Sequence, residues 1–199
     1  MYVQASKVDM YLLNKGVDML YTTINKLREE TACQLGFKKV LKFVGSNFGG
    51  DEKIPLSDII KSNDIDDTIW ALRATTECSK KVYQQIALFC AESSLSIYEK
   101  KYPDDKRVRE CIEATKKYIA GEIKIDELIK FKRAASAASY AAASYAAASS
   151  ASSAVAAAYG AYGAASAAAS SAVDAAYGAD AKKEFKKKLE IKLLELLNE

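Results

Sequence analysis

From Ser6 to Val44 apolar residues recur at helical spacing, with Val17, Leu20, Ile24 and Leu27 on one face and Cys33, Phe37, Val40, Leu41 and Val44 on a second. Gly16 is a point where the first helix can split, Gly45 is placed to end the pattern, and Gly49-Gly50-Asp51 reads as a loop. Pro55, whose fixed φ suits a first turn, opens a short helix that Ser62-Asn63-Asp64 breaks. Asp64 caps a helix holding Ile65, Ile69, Trp70 and Leu72, with Asp66 and Asp67 where the helix dipole favours negative charge. Ser79 caps a long helix with Val82, Ile86, Phe89, Cys90 and Ile97 apolar, which stops at Tyr102-Pro103 because proline cannot continue it. Asp104-Asp105 caps the next, which carries Val108, Cys111, Ile112, Thr115 and Ile119 and ends at Gly121. Asp126 caps a helix that runs through Leu128, Ile129 and Phe131 into the alanine-rich stretch beginning at Ala134. At the end of the chain Phe185, Leu189, Leu193, Leu196 and Leu197 share one face of a charged helix fit to seal a bundle. No segment alternates with the period of a strand.

Composition changes the picture between Ala134 and Ala179, where 25 of 46 residues are Ala, 10 are Ser, and Asp174 is the one charge. Alanine loses no side-chain entropy in a helix, so the tract is expected to be helical wherever glycine does not interrupt it. Its bulk comes from Tyr140, Tyr145, Val155, Tyr159, Tyr162, Val173 and Tyr177, which at 100° per residue fall within an arc of about 140°. The block SSAVAAAYGA at Ser152 recurs as SSAVDAAYGA at Ser170, an offset of about five helical turns. One helix from Ala134 to Leu197 would be about 96 Å long, against a radius of gyration of about 16 Å for a domain of this size. The tract is therefore expected to fold back at Gly160 and Gly163 into two antiparallel helices, with Tyr159 packed inside. The fold class that follows is all-α: a compact multi-helix bundle with a C-terminal alanine-rich helical hairpin and a final amphipathic helix. A single domain is expected over 1–199, mixed in composition over 1–133, alanine-rich over 134–179 and amphipathic over 180–199.

The net charge of +3 is too mild and too mixed in sign for a nucleic-acid footprint. The uncharged run from Ala134 to Val173 is long enough to span a membrane, but it has no Leu, Ile, Phe or Met, and its Ser, Gly and Tyr sit poorly in hydrocarbon. No membrane insertion is expected. Histidine is absent, and Cys33, Cys78, Cys90 and Cys111 form no Cys-x-x-Cys pair, so no metal and no cofactor is expected. The four thiols are assigned to a reduced core and the chain to the cytoplasm. Without a GxSxG, GxGxxG or P-loop signature there is no positive sign of catalysis.

Three groups of residues are candidates for binding. Asp66, Asp67, Trp70 and Arg73 fall within two turns, so the carboxylates and the guanidinium can meet on one helix face with Trp and Arg as interface anchors; the plainer reading is a capped helix with Trp70 in the core. Tyr140, Tyr145, Tyr159, Tyr162 and Tyr177 either grip a neighbouring helix or face a partner. Asp104, Asp105, Arg107 and Arg109 read as an acid pair with positioning arginines or as a capped helix start.

The run PLSDIIKSNDIDDTIWALR from Pro55 to Arg73, then Phe89-Cys90-Ala91-Glu92, then Tyr102-Pro103-Asp104-Asp105 with Arg107 and Arg109, then Tyr118-Ile119-Ala120-Gly121-Glu122 and the alanine tract resemble the alanine-rich immunity protein family of bacterial polymorphic toxin systems and its bacteriophage relatives. Ala32-Cys33-x-x-Gly36 is similar to the opening of the phage-type members. The resemblance covers most of residues 32–180, with Tyr where relatives often carry Trp in the tract. It implies a cytoplasmic, non-enzymatic inhibitory binding protein. Its protein partner would be a toxin or, for a phage-borne gene, a host defence protein of the kind an anti-CRISPR inhibits; homo-oligomerisation is left open. The alternative is an enzyme or small-molecule-binding helical protein using Asp66, Asp67 and Arg73 with Asp104 and Arg107, which requires the two segments to converge on one pocket.

Overall fold

The computed structural model describes residues 20–77, 79–141, 145–158, 163–175 and 179–197. Within them the chain is all-α apart from two-residue strands β1 (Tyr21–Thr22) and β2 (Ile54–Pro55), antiparallel with Tyr21 opposite Pro55 and Thr22 opposite Ile54. Strands this short have no room for an alternating pattern, which is why the sequence shows none. Burial holds them: the fully buried Thr22 donates its hydroxyl to Ala74 O at 2.7 Å, and the Thr76 and Leu56 amides donate to Tyr21 O and Leu20 O.

The helical spacing over Ser6–Val44 resolves, in its described part, into α1 (Ile24–Glu29) and α2 (Gln34–Val44) instead of a continuous pattern; residues 6–19 lie outside the described residues. The Thr23 hydroxyl caps α1 by accepting from Lys26 N. The helix ends in a Schellman turn, with Ala32 N donating to Leu27 O and Thr31 N to Arg28 O. Thr31 takes the left-handed position at φ 58, where glycine is usual, so no glycine announces the break. Cys33 caps α2, its Sγ accepting from Gly36 N at 3.3 Å. Cys33 is exposed, which corrects its assignment to the core: a cap sits at a helix end, against backbone amides and not apolar side chains. Cys90 and Cys111 are buried as expected, and Cys78 lies outside the described residues.

Helix α3 (Leu56–Ser62) follows Pro55 directly, and α4 (Ile65–Ala71) starts from Asp64, whose carboxylate accepts from Asp67 N at 2.9 Å. Beyond α4 the chain tightens into a 3-10 turn, Leu72–Ala74, before α5 (Lys80–Lys101). Ser79 holds the N-cap position of α5, yet its hydroxyl donates to Leu72 O at 2.7 Å and makes no capping bond. Helix α6 (Arg107–Ile119) has Lys106 at its N-cap; of the expected pair Asp104-Asp105 only Asp105 contributes, accepting from Arg107 N at 3.1 Å. Helix α7 (Ile125–Ala141) begins one residue before Asp126, which therefore lies inside the first turn instead of capping it.

The remaining helices are α8 (Tyr145–Ala158), α9 (Gly163–Ala175) and α10 (Ala179–Leu197). The alanine tract folds back between Ala158 and Gly163 as expected, but the chain also reverses between Ala141 and Tyr145. Ala134–Ala141 thus continue α7, and the tract contributes to three helices instead of two. Ser149 Oγ lies 3.1 Å from Ser171 Oγ and Ser136 Oγ 3.4 Å from Ser152 Oγ, the pairing of two successive antiparallel hairpins. Helix α8 packs against α5, α6, α7 and α9, and none of its described side chains is exposed. Its buried residues are Ala151, Ala154, Val155, Ala157 and Ala158, small enough for four helices to approach its axis closely. Helix α5 supplies the bulk. Its buried residues, from Tyr83 to Tyr98, sweep about 200° of the helix, so it is covered from more than one side. Gln84 of α5 donates Nε2 to Ala158 O at 2.9 Å, satisfying a carbonyl at the buried end of α8. Helix α10 closes the bundle with Leu189, Leu193, Leu196 and Leu197 buried, and with Phe185 stacked on Phe89 at 6.3 Å between ring centroids.

Candidate functional site

Ile65, Thr68, Ile69 and Ala71 bury one face of α4, which leaves Asp66, Asp67 and Trp70 on its flanks. Trp70 is half-buried and not part of the inner core. With Leu27, Phe37, Val40, Ile59 and Ala71 it makes the apolar wall of a cavity of about 250 Å³ between α1–α2 and α3–α4, whose polar lining is Cys33, Asn63, Asp66 and Asp67. Gly36 lets α2 come this close to α4: a Cβ there would stand 3.0 Å from Asp67 Oδ2 and 3.1 Å from Cys33 Sγ.

Asn63, at the end of α3, ties the walls together by donating Nδ2 to Gly36 O at 3.0 Å and to Asp67 Oδ2 at 2.8 Å. Its own Oδ1 accepts from Ser62 Oγ at 2.7 Å, which fixes the amide's orientation. Asp66 forms an ion pair with Lys186 of α10. Arg73 meets neither carboxylate, contrary to the spacing-based expectation, because the 3-10 turn at Leu72 carries it off the α-helical azimuth. Its guanidinium lies 5.2 Å from the Trp70 ring centroid, and its buried Nε has no hydrogen-bond partner among the described residues. Arg28 lies likewise 5.5 Å from the Phe37 ring centroid, so each aromatic residue of the lining carries an arginine.

The second charged cluster is closed on itself. Arg107 makes two bonds to Asp105, Nε to Oδ1 at 2.9 Å and Nη2 to Oδ2 at 2.6 Å, and the buried Tyr98 donates its hydroxyl to Asp105 Oδ2 at 2.7 Å. The Arg107 guanidinium above all holds the Asp105 carboxyl well below the usual carboxylate range. Burial first, then the hydrogen bond to Asp105, pushes Tyr98 up to about 12. Arg109 is paired with Glu99. Neither Asp104 nor Arg107 lines the cavity that holds Asp66 and Asp67, so the convergence that an enzymatic site among these residues requires is not present.

Tyr159, Tyr162 and Tyr177 lie outside the described residues, as do the side chains of Tyr140 and Tyr145, and with them the expectation that Tyr159 is packed inside. Among the described residues no group of His, Cys, Asp or Glu is arranged to hold a metal, and no helix is long and apolar enough to cross a membrane. The sequence reading missed Gly36, Phe37 and Asn63 as site residues. Asn63 reads locally as a helix breaker, and nothing nearby signals that its amide bonds Gly36, 27 residues away.

A family model described as Imm-5 like putative immunity protein matches residues 73–195. No curated protein and no solved structure matches the chain. The matched residues run from the 3-10 turn through most of α10, and the cavity-forming residues 27–71 precede them. With a match over more than half its length, the chain belongs to the Imm-5 like putative immunity protein family.

Proposed function

We propose that this protein is a non-enzymatic inhibitor that neutralises a protein partner by occupying it, and that the α1–α4 face around the cavity is where the partner binds. Family membership is the observation that carries the inhibitory reading. The binding face is supported by the half-open cavity beside Trp70 and Arg73 and by Leu35 and Phe43 of α2, which are 75% and 49% exposed. Interfaces concentrate their energy in Trp and Arg anchors near an apolar centre, and this face combines both. The partner is a toxin, or a host defence protein where the gene is phage-borne, met in the cytoplasm. Residues 1–199 act as one domain, with Tyr140, Tyr145, Tyr159, Tyr162 and Tyr177 as further contacts to the same partner.

The test is capture of the partner from the native host, with the neighbouring gene products as first candidates, followed by co-expression. Trp70→Ala and Arg73→Ala should each weaken the complex by about 2 kcal/mol or more and reduce protection of the cell. Failure to capture any partner, or capture that both variants leave unchanged, counts against the inhibitory reading or the face respectively.

A further inference from the structure

Two carboxylates and no cation line the cavity. Asp66 is paired by Lys186, which reaches it from outside that lining. Asp67 has no ion-pair partner among the described residues, and the side-chain hydrogen bond to its carboxylate comes from the neutral Asn63 amide. Arg28 and Arg73, the nearby cations on the aromatic residues, line no part of the cavity. With one neutral side-chain donor, the Asp67 carboxylate keeps acceptor capacity that the N–H groups of a cation can meet with charge-assisted hydrogen bonds. The space is also diagnostic. About 250 Å³ falls below the roughly 300–1,000 Å³ of small-molecule sites, but it has room for one long side chain.

An apolar stem ending in a positive charge is the form of lysine and arginine. Resting on the binding reading above, we infer that the cavity receives a basic side chain of the protein partner, its aliphatic stem against Leu27, Val40 and Ile59 and its charge at Asp67. Asn63 holds the Asp67 carboxylate in place for that contact, and Trp70 forms part of the surrounding wall.

Trp70 is the chain's one tryptophan, so its emission reports on the cavity without a label. The probes are n-pentylammonium and 1-pentanol, which share a stem and differ in charge. The ammonium should change Trp70 emission saturably and bind about tenfold or more tightly than the alcohol, the scale of a hydrogen bond to a charged group. Asp67→Asn should abolish that preference while leaving the alcohol's binding in place, with native helicity checked by circular dichroism. Ala32 also lines the cavity, and Ala32→Leu, which fills it, should remove the response to both. Equal affinity of the two probes for the unaltered chain, or a preference that survives Asp67→Asn, overturns the inference, and the first comparison decides even if the variant fails to fold. A captured partner without ammonium preference leaves the inhibitory reading standing and refutes the basic anchor. An ammonium preference without any captured partner supports the cavity chemistry and counts against the inhibitory reading.

Discussion

Thr31 and Gly121 close the same kind of turn with different residues. Gly121, at φ 79, donates to Tyr118 O while Glu122 donates to Lys117 O, and the glycine is legible in the sequence as a helix stop. Thr31 adopts φ 58 with a β-branched side chain, which costs energy and hides the turn from a reader looking for glycine. Because Thr31 is exposed, Thr31→Gly should raise stability by about 1 kcal/mol, read as a higher urea midpoint at unchanged slope. Titration gives a second residue-level expectation. Burial pushes both Cys90 and Cys111 up to about 12, alongside Tyr98. For these acids the raised value means that the fold favours the protonated form. The stability they contribute is fully present below their unfolded values of about 8.5 for thiols and about 10 for tyrosine, and it is lost as pH rises from there towards about 12. The unfolding free energy read from urea titration should therefore fall between about pH 8 and about pH 10.5, by on the order of 2 kcal/mol per thiol, and Cys90→Ala should flatten part of that fall. Asp105 acts in the other direction: its lowered value makes its contribution present above about pH 4 and lost as pH falls further.

Most helices can be read from the chain, because the cues that define them are local: Asp64 before α4, Tyr102-Pro103 after α5 and the leucine face of α10 all stand where the sequence puts them. The alanine tract shows where such cues run out. Gly160 and Gly163 mark one reversal, but residues 142–144 contain neither glycine nor proline, and a helix former that fits any neighbour gives no sign of where tertiary packing will divide it. The repeat carries over into burial only in part: Ala154 and Ala172 are buried at matching positions, as are Ala157 and Ala175, while Val155 is buried and Val173 only half so. The first copy therefore lies deeper. Ala154→Leu in α8 should destabilise by about 1–3 kcal/mol through overpacking, whereas Ala167→Leu, on an exposed position of α9, should stay within about 0.5 kcal/mol. Gln84→Ala should cost about 1–3 kcal/mol by leaving Ala158 O buried without its donor.

Across the molecule, protection should follow depth and not helix propensity. In hydrogen exchange, the amides of α5 and α8 should be the slowest and those of α2, where seven of eleven residues face solvent, among the fastest; α9, about as rich in alanine as α8 but with Ala167, Ser170 and Asp174 exposed, should exchange faster than α8. Neither that ranking nor the cavity is legible in the sequence, since both depend on contacts between distant segments: Leu27, Gly36, Asn63 and Trp70 meet only once four helices are in place. The partnership of α5 with α8 has one more consequence, for the chain as it is being made. Gln84 and Ala158 are separated by 74 positions, so at about 5–20 residues per second the helix that covers α5 leaves the ribosome roughly 4–15 s after it. During that interval the part of the α5 arc that α8 covers stays unburied, with only α6 and α7 of the later bundle made, so the first native molecule cannot form before synthesis has passed Ala158.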